Sequence, residues 1–158
     1  MNQKMKLREY RPDDCEKIAE LLYNTVHSVN SVDYNEAQLD AWVPKDMNLI
    51  QLNDRLSNTY CVVAEQDGVI VGFGNTGGIG YFDFLYVHKD YQRMGVATMI
   101  ADEIERYIIS HQGVKTITAD VSITAKPFFE KRGYLVEKMQ NVELRGHSFV
   151  NFKMQKTI

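Results

Sequence analysis

The residues whose types and spacing say most about chemistry are Gln92-Arg93-Met94-Gly95-Val96-Ala97. They follow a strand pattern directly and open the longest helical pattern in the chain. A helix start carries positive character on its free N–H groups and normally favours Asp or Glu. Between Tyr91 and Ala101 there is no acid, and Arg93 adds positive charge. A glycine in the first turn costs about 1 kcal/mol relative to alanine, so Gly95 is a second unfavourable choice there. An anion such as a pyrophosphate lying against the backbone accounts for both. The competing reading is a plain helix in which a small residue permits tight packing.

A second glycine run, Gly72-Phe73-Gly74-Asn75-Thr76-Gly77, matches the dinucleotide-binding pattern G-x-G-x-x-G. That motif needs a helix to start at its end and aim its N-terminus at the phosphates. Here Gly78-Ile79-Gly80 leads into another strand pattern instead, so the run reads as a turn or bulge. Cys15 and Cys61 lack the spacing of a disulfide framework or zinc site. His27, His88, His111 and His147 show no ligand spacing either, so no metal is expected.

The elements that must position these groups can be traced along the chain. Lys6–Tyr10 reads as a strand, and Arg11-Pro12-Asp13-Asp14 breaks it before a helix with the apolar stripe Ile18, Leu21, Leu22 and Val26. Short helices are expected over 35–42, stopping before Pro44, and over 46–56. Tyr34 and Trp42 belong either to the core or to a pocket wall. Tyr60–Glu65 and Val69–Phe73 flank Asp67-Gly68, a strong hairpin signal. A strand follows over 79–88. The long helix runs over 94–110 with Val96, Ile100, Ile104 and Ile108 on one face and Asp102, Glu103, Glu105 and Arg106 on the other. Thr116–Val121 is a strand, Thr124 caps a short helix ending before Gly133, and 134–144 with 148–155 form a last hairpin turning at Arg145-Gly146. Val150, Phe152 and Met154 mark its buried face.

This order predicts an α+β domain spanning residues 1–158, with a mixed, mostly antiparallel central sheet of about seven strands flanked by four to five helices. An apolar fraction of 44% and a charged fraction of 25% suit an ordinary globular protein. A net charge of −3 speaks against nucleic acid as a partner. No apolar run approaches membrane-spanning length, and Met1–Lys6 has no apolar core of a signal peptide. The expectation is a cytoplasmic protein with neither a membrane nor a nucleic-acid partner.

Gln92 to Ala97 satisfies [QR]-x-x-G-x-[GA], and here the sequence resembles the GNAT superfamily of N-acetyltransferases. The run Asp83 to His88 resembles the family's preceding strand, and Ser122 to Tyr134 its later strand-to-helix segment ending in Gly-aromatic. Asp40-Ala41-Trp42-Val43-Pro44 and Asn151-Phe152 are similar to the bacterial YafP-like branch. The resemblance implies a GNAT-like fold and direct transfer of acetyl from acetyl-CoA, the co-substrate, to a small primary amine. It implies that backbone amides of Arg93, Met94, Gly95, Val96, Ala97 and Thr98 hold the pyrophosphate. Leu85, Tyr86 and Val87 pair with the pantetheine arm, and the Val87 N–H polarises the thioester carbonyl.

By motif offset the family's strand carboxylate falls at Tyr81. Asp83, on the same strand face, is the expected base, directly or through water, with Tyr81 shaping the pocket; the alternative for Asp83 is a surface or structurally paired acid. The family's proton-donating tyrosine falls at Phe129, which carries no proton, and its asparagine falls at Ser122. Phe129 is then expected to pack on the cofactor, with Ser122 and Tyr134 as substitute donors. Lys126, Lys131 and Arg132 either meet a 3′-phosphate or form a solvated helix end. A homodimer is compatible with the resemblance. The missing tyrosine also keeps open a second function, a non-catalytic acyl-CoA-binding sensor.

Overall fold

The computed structural model describes residues 5–158. The reading of the N-terminal residues as free of a signal peptide rests on residues 1–4 and lies outside them. The described chain is α+β. Seven strands form two antiparallel sheets, and five helices cover them.

The first sheet has the order β1-β2-β3-β4, with β1 at Lys6–Glu9, β2 at Cys61–Gln66, β3 at Val69–Thr76 and β4 at Phe82–Val87. The β2–β3 turn falls at Asp67-Gly68, where φ is +54° and +80°, the succession a type I′ hairpin needs. β4 is shorter at both ends than the expected strand. At its start, Gly77 N–H donates to Tyr81 O at 2.8 Å and Tyr81 N–H to Gly78 O at 3.1 Å, so a turn occupies the first residues. The second sheet has the order β5-β7-β6, with β5 at Thr116–Ser122, β6 at Leu135–Leu144 and β7 at His147–Thr157. The seven strands of the expected sheet thus fall into two halves that part between β4 and β5. Among the described residues the only bridge between the halves is a parallel one, Tyr81 to Thr118.

Helix α1 spans Cys15–Ser28 and buries the predicted Ile18, Leu21, Leu22 and Val26 stripe. Helix α2, Glu36–Trp42, opens with a reciprocal cap: Gln38 N–H donates to Asn35 Oδ1, and Asn35 N–H donates to Gln38 Oε1, both at 2.8 Å. Helix α3, Leu49–Ser57, begins three residues later than expected because Asn48 is its cap, accepting from Gln51 N–H at 3.1 Å. Helix α4, Val96–Tyr107, continues through a π-helical turn to Gln112. Helix α5 spans Lys126–Lys131. Its start is tied by Ser122 Oγ, which accepts from Ala125 N–H at 3.0 Å. Thr124 is not the cap; its hydroxyl donates to Asp33 at 2.8 Å.

Helices α1, α2 and α3 pack with Phe73 and Phe149 into one core, and α4 packs with Phe82, Ile117 and Met154 into another. β7 contributes to both cores, so its buried residues do not simply alternate. Glu105 departs from its expected place on the solvent face of α4. It is buried, with Tyr134 donating to it at 2.9 Å, Lys156 at 3.1 Å and Arg132 at 3.0 Å. No helix among the described residues is long and apolar enough to cross a membrane.

The decoy glycines have a packing explanation. They lie in β3 and its following turn, with a register irregularity between Gly74 and Thr76, and no helix follows. A Cβ on Gly74 would stand 2.7 Å from Ile100 Cγ2 and 2.9 Å from Phe84 O. β3 thus lets α4 lie close against the sheet, which fixes where the start of α4 points. Gly74→Ala should cost about 1–3 kcal/mol by overpacking and lower Tm by roughly 2–10 °C in thermal denaturation. An unchanged Tm would show that the contact relaxes freely.

Candidate active site

β4 and β5 run parallel from the Tyr81–Thr118 bridge, and a cavity of about 500 Å³ lies between them beyond it. That is the size of a small-molecule site. Its walls come from β4, the start of α4, the β5–α5 junction, α1, α2 and β7. His88 N–H donates to Val71 O at 2.8 Å, and Phe84 N–H to Asn75 Oδ1 at 2.8 Å. Alternation along the strand then turns the N–H groups of Leu85 and Val87 away from β3, toward the open edge. The Val87 carbonyl on that edge is already satisfied, by Thr25 Oγ1 at 3.0 Å and Gln92 Nε2 at 2.8 Å. Gln92 therefore ties the loop before α4 back onto β4.

That loop has an unusual backbone. Arg93 has φ +61° and Gly95 has φ +84°, while Met94 between them does not have positive φ. Alternation of this kind turns successive N–H groups inward, as in backbone anion nests. Gly95 is the residue before α4 rather than part of its first turn, so its glycine serves a left-handed backbone. The first turn holds no acid, and no side chain caps it. Leu85, Tyr86, Val87, Gln92, Arg93, Gly95, Val96, Ala97 and Thr98 all line the cavity. Met94 alone among the expected cofactor contacts does not; its side chain is half-exposed.

At the β5 end Ser122 and Phe129 also line the cavity. Phe129 is buried among the rings of Phe82, Phe128 and Tyr134, with centroids 5.0–5.6 Å away. Tyr134 is not a substitute donor. It faces away from the cavity, its hydroxyl bonded to Glu105, and burial pushes its pKa well up. Arg132 is engaged with Asp102 and Glu105, and Lys126 sits over the Phe152 ring at 4.7 Å. Neither of those two is a free cation at the helix end.

Tyr81 and Asp83 both line the cavity, each with a firm partner. The Tyr81 hydroxyl donates to Asp120 at 2.7 Å; burial, and then this carboxylate, push its pKa up, so it stays protonated at neutral pH. Asp83 is nearly buried. Arg55 Nε donates to Oδ2 at 2.9 Å, Arg55 Nη2 donates to Oδ1, and Asn75 Nδ2 lies 3.3 Å from Oδ2. This is the structurally paired acid. Direct proton abstraction does not fit, because it would disrupt a bidentate ion pair. Tyr34 and Trp42 serve as both core and wall: they pack edge-to-face, and both line the cavity. The Tyr34 hydroxyl donates to Val150 O at 2.7 Å and accepts from Ile123 N–H at 2.9 Å, pinning α2's approach to the β5–β7 fork.

Thr25, Arg55, Asn75 and Asp120 escape sequence reasoning. Each acts on a partner that no local pattern identifies.

A sequence model described as an acetyltransferase (GNAT) domain matches residues 30–156. The chain is 32% identical over 151 residues to an uncharacterized N-acetyltransferase, YafP, of Escherichia coli strain K12, covering 96% of this chain and 95% of that protein. A crystal structure of a GCN5-related N-acetyltransferase from Rhodopseudomonas palustris superimposes with a TM-score of 0.94 at 31% identity, over 100% of this chain and 99% of that one. The PaiA N-acetyltransferase of Thermoplasma acidophilum, solved in complex with coenzyme A, shares the fold with a TM-score of 0.82 at 18% identity, over 98% of this chain and 99% of that one.

The ion pair in the cavity wall is open to a direct test. Arg55→Met should destabilise by about 1–2 kcal/mol, below the range for fully buried pairs because Arg55 is half-exposed. In a double-mutant cycle with Asp83→Asn the second change should then cost little. Strict additivity of the two Tm shifts would mean that the pair is not coupled.

Proposed function

The chain belongs to the GNAT family of N-acetyltransferases, and from that premise we propose that it binds acetyl-CoA between β4 and β5 and passes the acetyl group directly to a small primary amine. As a member of an acyltransferase family it is an enzyme, so the sensor reading lapses. The observation that carries the proposal is the acid-free start of α4 with its alternating φ at Arg93 to Gly95, set beside the open edge of β4. A pyrophosphate fits that cradle, and an extended amide-bearing arm fits the free N–H groups of Leu85 and Val87.

When bound, acetyl-CoA supplies an acyl group already activated as a thioester. The Val87 N–H, on the open edge of β4, would polarise its carbonyl as the oxyanion donor. The net change forms one N–C bond, breaks one S–C bond and moves one proton from the amine to the sulfur. An alkyl ammonium ionises near about 10, so the protein must help it lose a proton at neutral pH. Asp83 acts by orienting a water that takes the proton and passes it on to solvent, so its oxygens stay held by Arg55 and Asn75. At the sulfur end Ser122 is the residue placed to donate. Its oxygen accepts from Ala125 N–H, and among the described residues its own hydrogen has no protein acceptor. Phe129 packs the arm.

Three expectations follow. Thiol release from acetyl-CoA, followed across a panel of small primary amines, should be saturable for at least one; turnover confined to water or hydroxyl acceptors would sink the proposal. Thr98→Glu puts a carboxylate in the first turn of α4, where a plain helix would gain about 0.3–1 kcal/mol. It should leave Tm unchanged or raised while weakening coenzyme A binding by about tenfold or more; calorimetry showing equal affinity would contradict the cradle. Asp83→Asn should lower kcat/KM for the amine by about 10–100-fold with little change in the KM of acetyl-CoA. Full activity across the pH range would remove Asp83 from the proton path.

A further inference from the structure

Asn151 lies in β7, directly opposite Ser122 of β5 on one side and Gln140 of β6 on the other. Directly opposed residues share a sheet face, so the three side chains stand together, and those of Ser122 and Asn151 line the cavity. The Asn151 Oδ1 is buried, and among the described residues it has no hydrogen-bond partner. Ser122 and Gln140 make no hydrogen bond to it, although the Ser122 O–H is unused among the described residues. Ser122 Oγ accepts from Ala125 N–H, and Gln140 Nε2 donates to Asp120 at 2.7 Å. Buried polar atoms in proteins are nearly always paired, and an exception lining a cavity is open to a donor that enters the cavity, water or ligand.

The position of this oxygen narrows the choice of donor. Four residues along from the Tyr81–Thr118 bridge, β4 reaches Leu85 and β5 reaches Ser122. Asn151 therefore stands across the cleft from the strand edge read as binding the arm, one strand beyond β5, beside Phe149 and below Trp42's helix. With the arm on β4, that is the side of the cavity left for the acceptor.

We propose that Asn151 is an amine-positioning residue, whose Oδ1 accepts a hydrogen bond from one N–H of the acceptor. The inference rests on the transfer reading above. A primary amine that has lost one proton keeps two N–H bonds and one lone pair. Holding one N–H on Asn151 turns the lone pair toward the acyl carbon. The proton on Asn151 stays on nitrogen and becomes the amide N–H of the product; the ammonium's extra proton leaves by the Asp83 water path before attack, and the remaining N–H proton goes to the departing sulfur. This role separates orientation, at Asn151, from deprotonation, at Asp83. It also selects primary amines, which keep one N–H through the transfer, over hydroxyls and secondary amines, whose single hydrogen must be lost.

The test uses the purified full chain and an amine that the wild type acetylates. Asn151→Leu removes the acceptor oxygen at similar volume. The expected result is a KM for the amine raised about tenfold or more, with the acetyl-CoA KM unchanged. Tm should hold or rise, because an apolar group replaces an unpaired buried oxygen. Asn151→Ala, which adds no bulk, should show the same split between substrates, and Asn151→Asp, which keeps an acceptor, should recover much of the amine affinity. An amine KM unchanged in both the Leu and Ala variants overturns the assignment alone. So does equal loss toward both substrates together with a lowered Tm, the mark of a structural residue. A wild type that acetylates no amine overturns the transfer reading, and this inference with it.

Discussion

β4 and β5 are parallel neighbours that meet at one bridge and then cease to pair. The join is made firmly. Thr118 N–H donates to Gly80 O at 2.8 Å, Gly80 N–H donates to Gln112 Oε1 at 2.7 Å, and the Tyr81 hydroxyl reaches Asp120. Beyond it, each strand has an edge whose backbone groups need other partners, since unpaired buried amides are costly. The fold answers selectively. Thr25 and Gln92 satisfy the Val87 carbonyl, while the neighbouring N–H groups keep their donors for whatever enters. A parted sheet is thus an extended-ligand site made from backbone, which is why side-chain identity along β4 carries little of the recognition.

The same geometry governs charge. α4 points its N-terminus into the cleft because β3 lets it lie close, and its acids begin only at Asp102. From there each is tied to a cation: Asp102 and Glu105 to Arg132, Glu105 also to Lys156, and Glu103 to Arg106, whose hydrogen bond holds the Glu103 carboxyl below its usual range. Negative charge is gathered and neutralised at the far end of the helix, and the near end remains receptive to an anion. Burying Glu105 is expensive without partners; three groups meet it, and Tyr134 is one of them. The hydroxyl that might have served the cavity is used to complete this network.

Local signals in the sequence were legible. The Asp67-Gly68 hairpin, the stripe of α1, the α4 start and the Arg145-Gly146 turn are each set by residues adjacent in the chain. What was not legible depends on distant residues meeting. Arg55 and Asp83 are 28 positions apart and Tyr34 and Ile123 are 89 apart, and nothing near either residue announces the other. Glu105 misled for the same reason: helical periodicity assigns a charge to solvent unless its partners, here on α5's end and β7, are known. The split of the sheet follows only from the GNAT-like fold that the resemblance implies, because a strand that loses its neighbour has the same residue pattern as one that keeps it.

Phe129 in place of a tyrosine takes on a different weight once the two ends of the reaction are compared. A thiol ionises near about 8.5 and an alkyl ammonium near about 10. At neutral pH the sulfur is close to leaving as its own anion, and a hydroxyl such as that of Ser122, or water, meets what remains of its need. The amine is farther from its reactive form and must also be turned correctly. In the proposed transfer the polar groups of the cavity divide accordingly: Asp83 with its ion pair and Asn151 with its open oxygen are assigned to the acceptor, and the aromatic wall to the sulfur. On the proposed mechanism, a phenylalanine at this position gives up an acid at the easier step only, and the fold gains a packed cluster of Phe82, Phe128, Phe129 and Tyr134 behind the cleft.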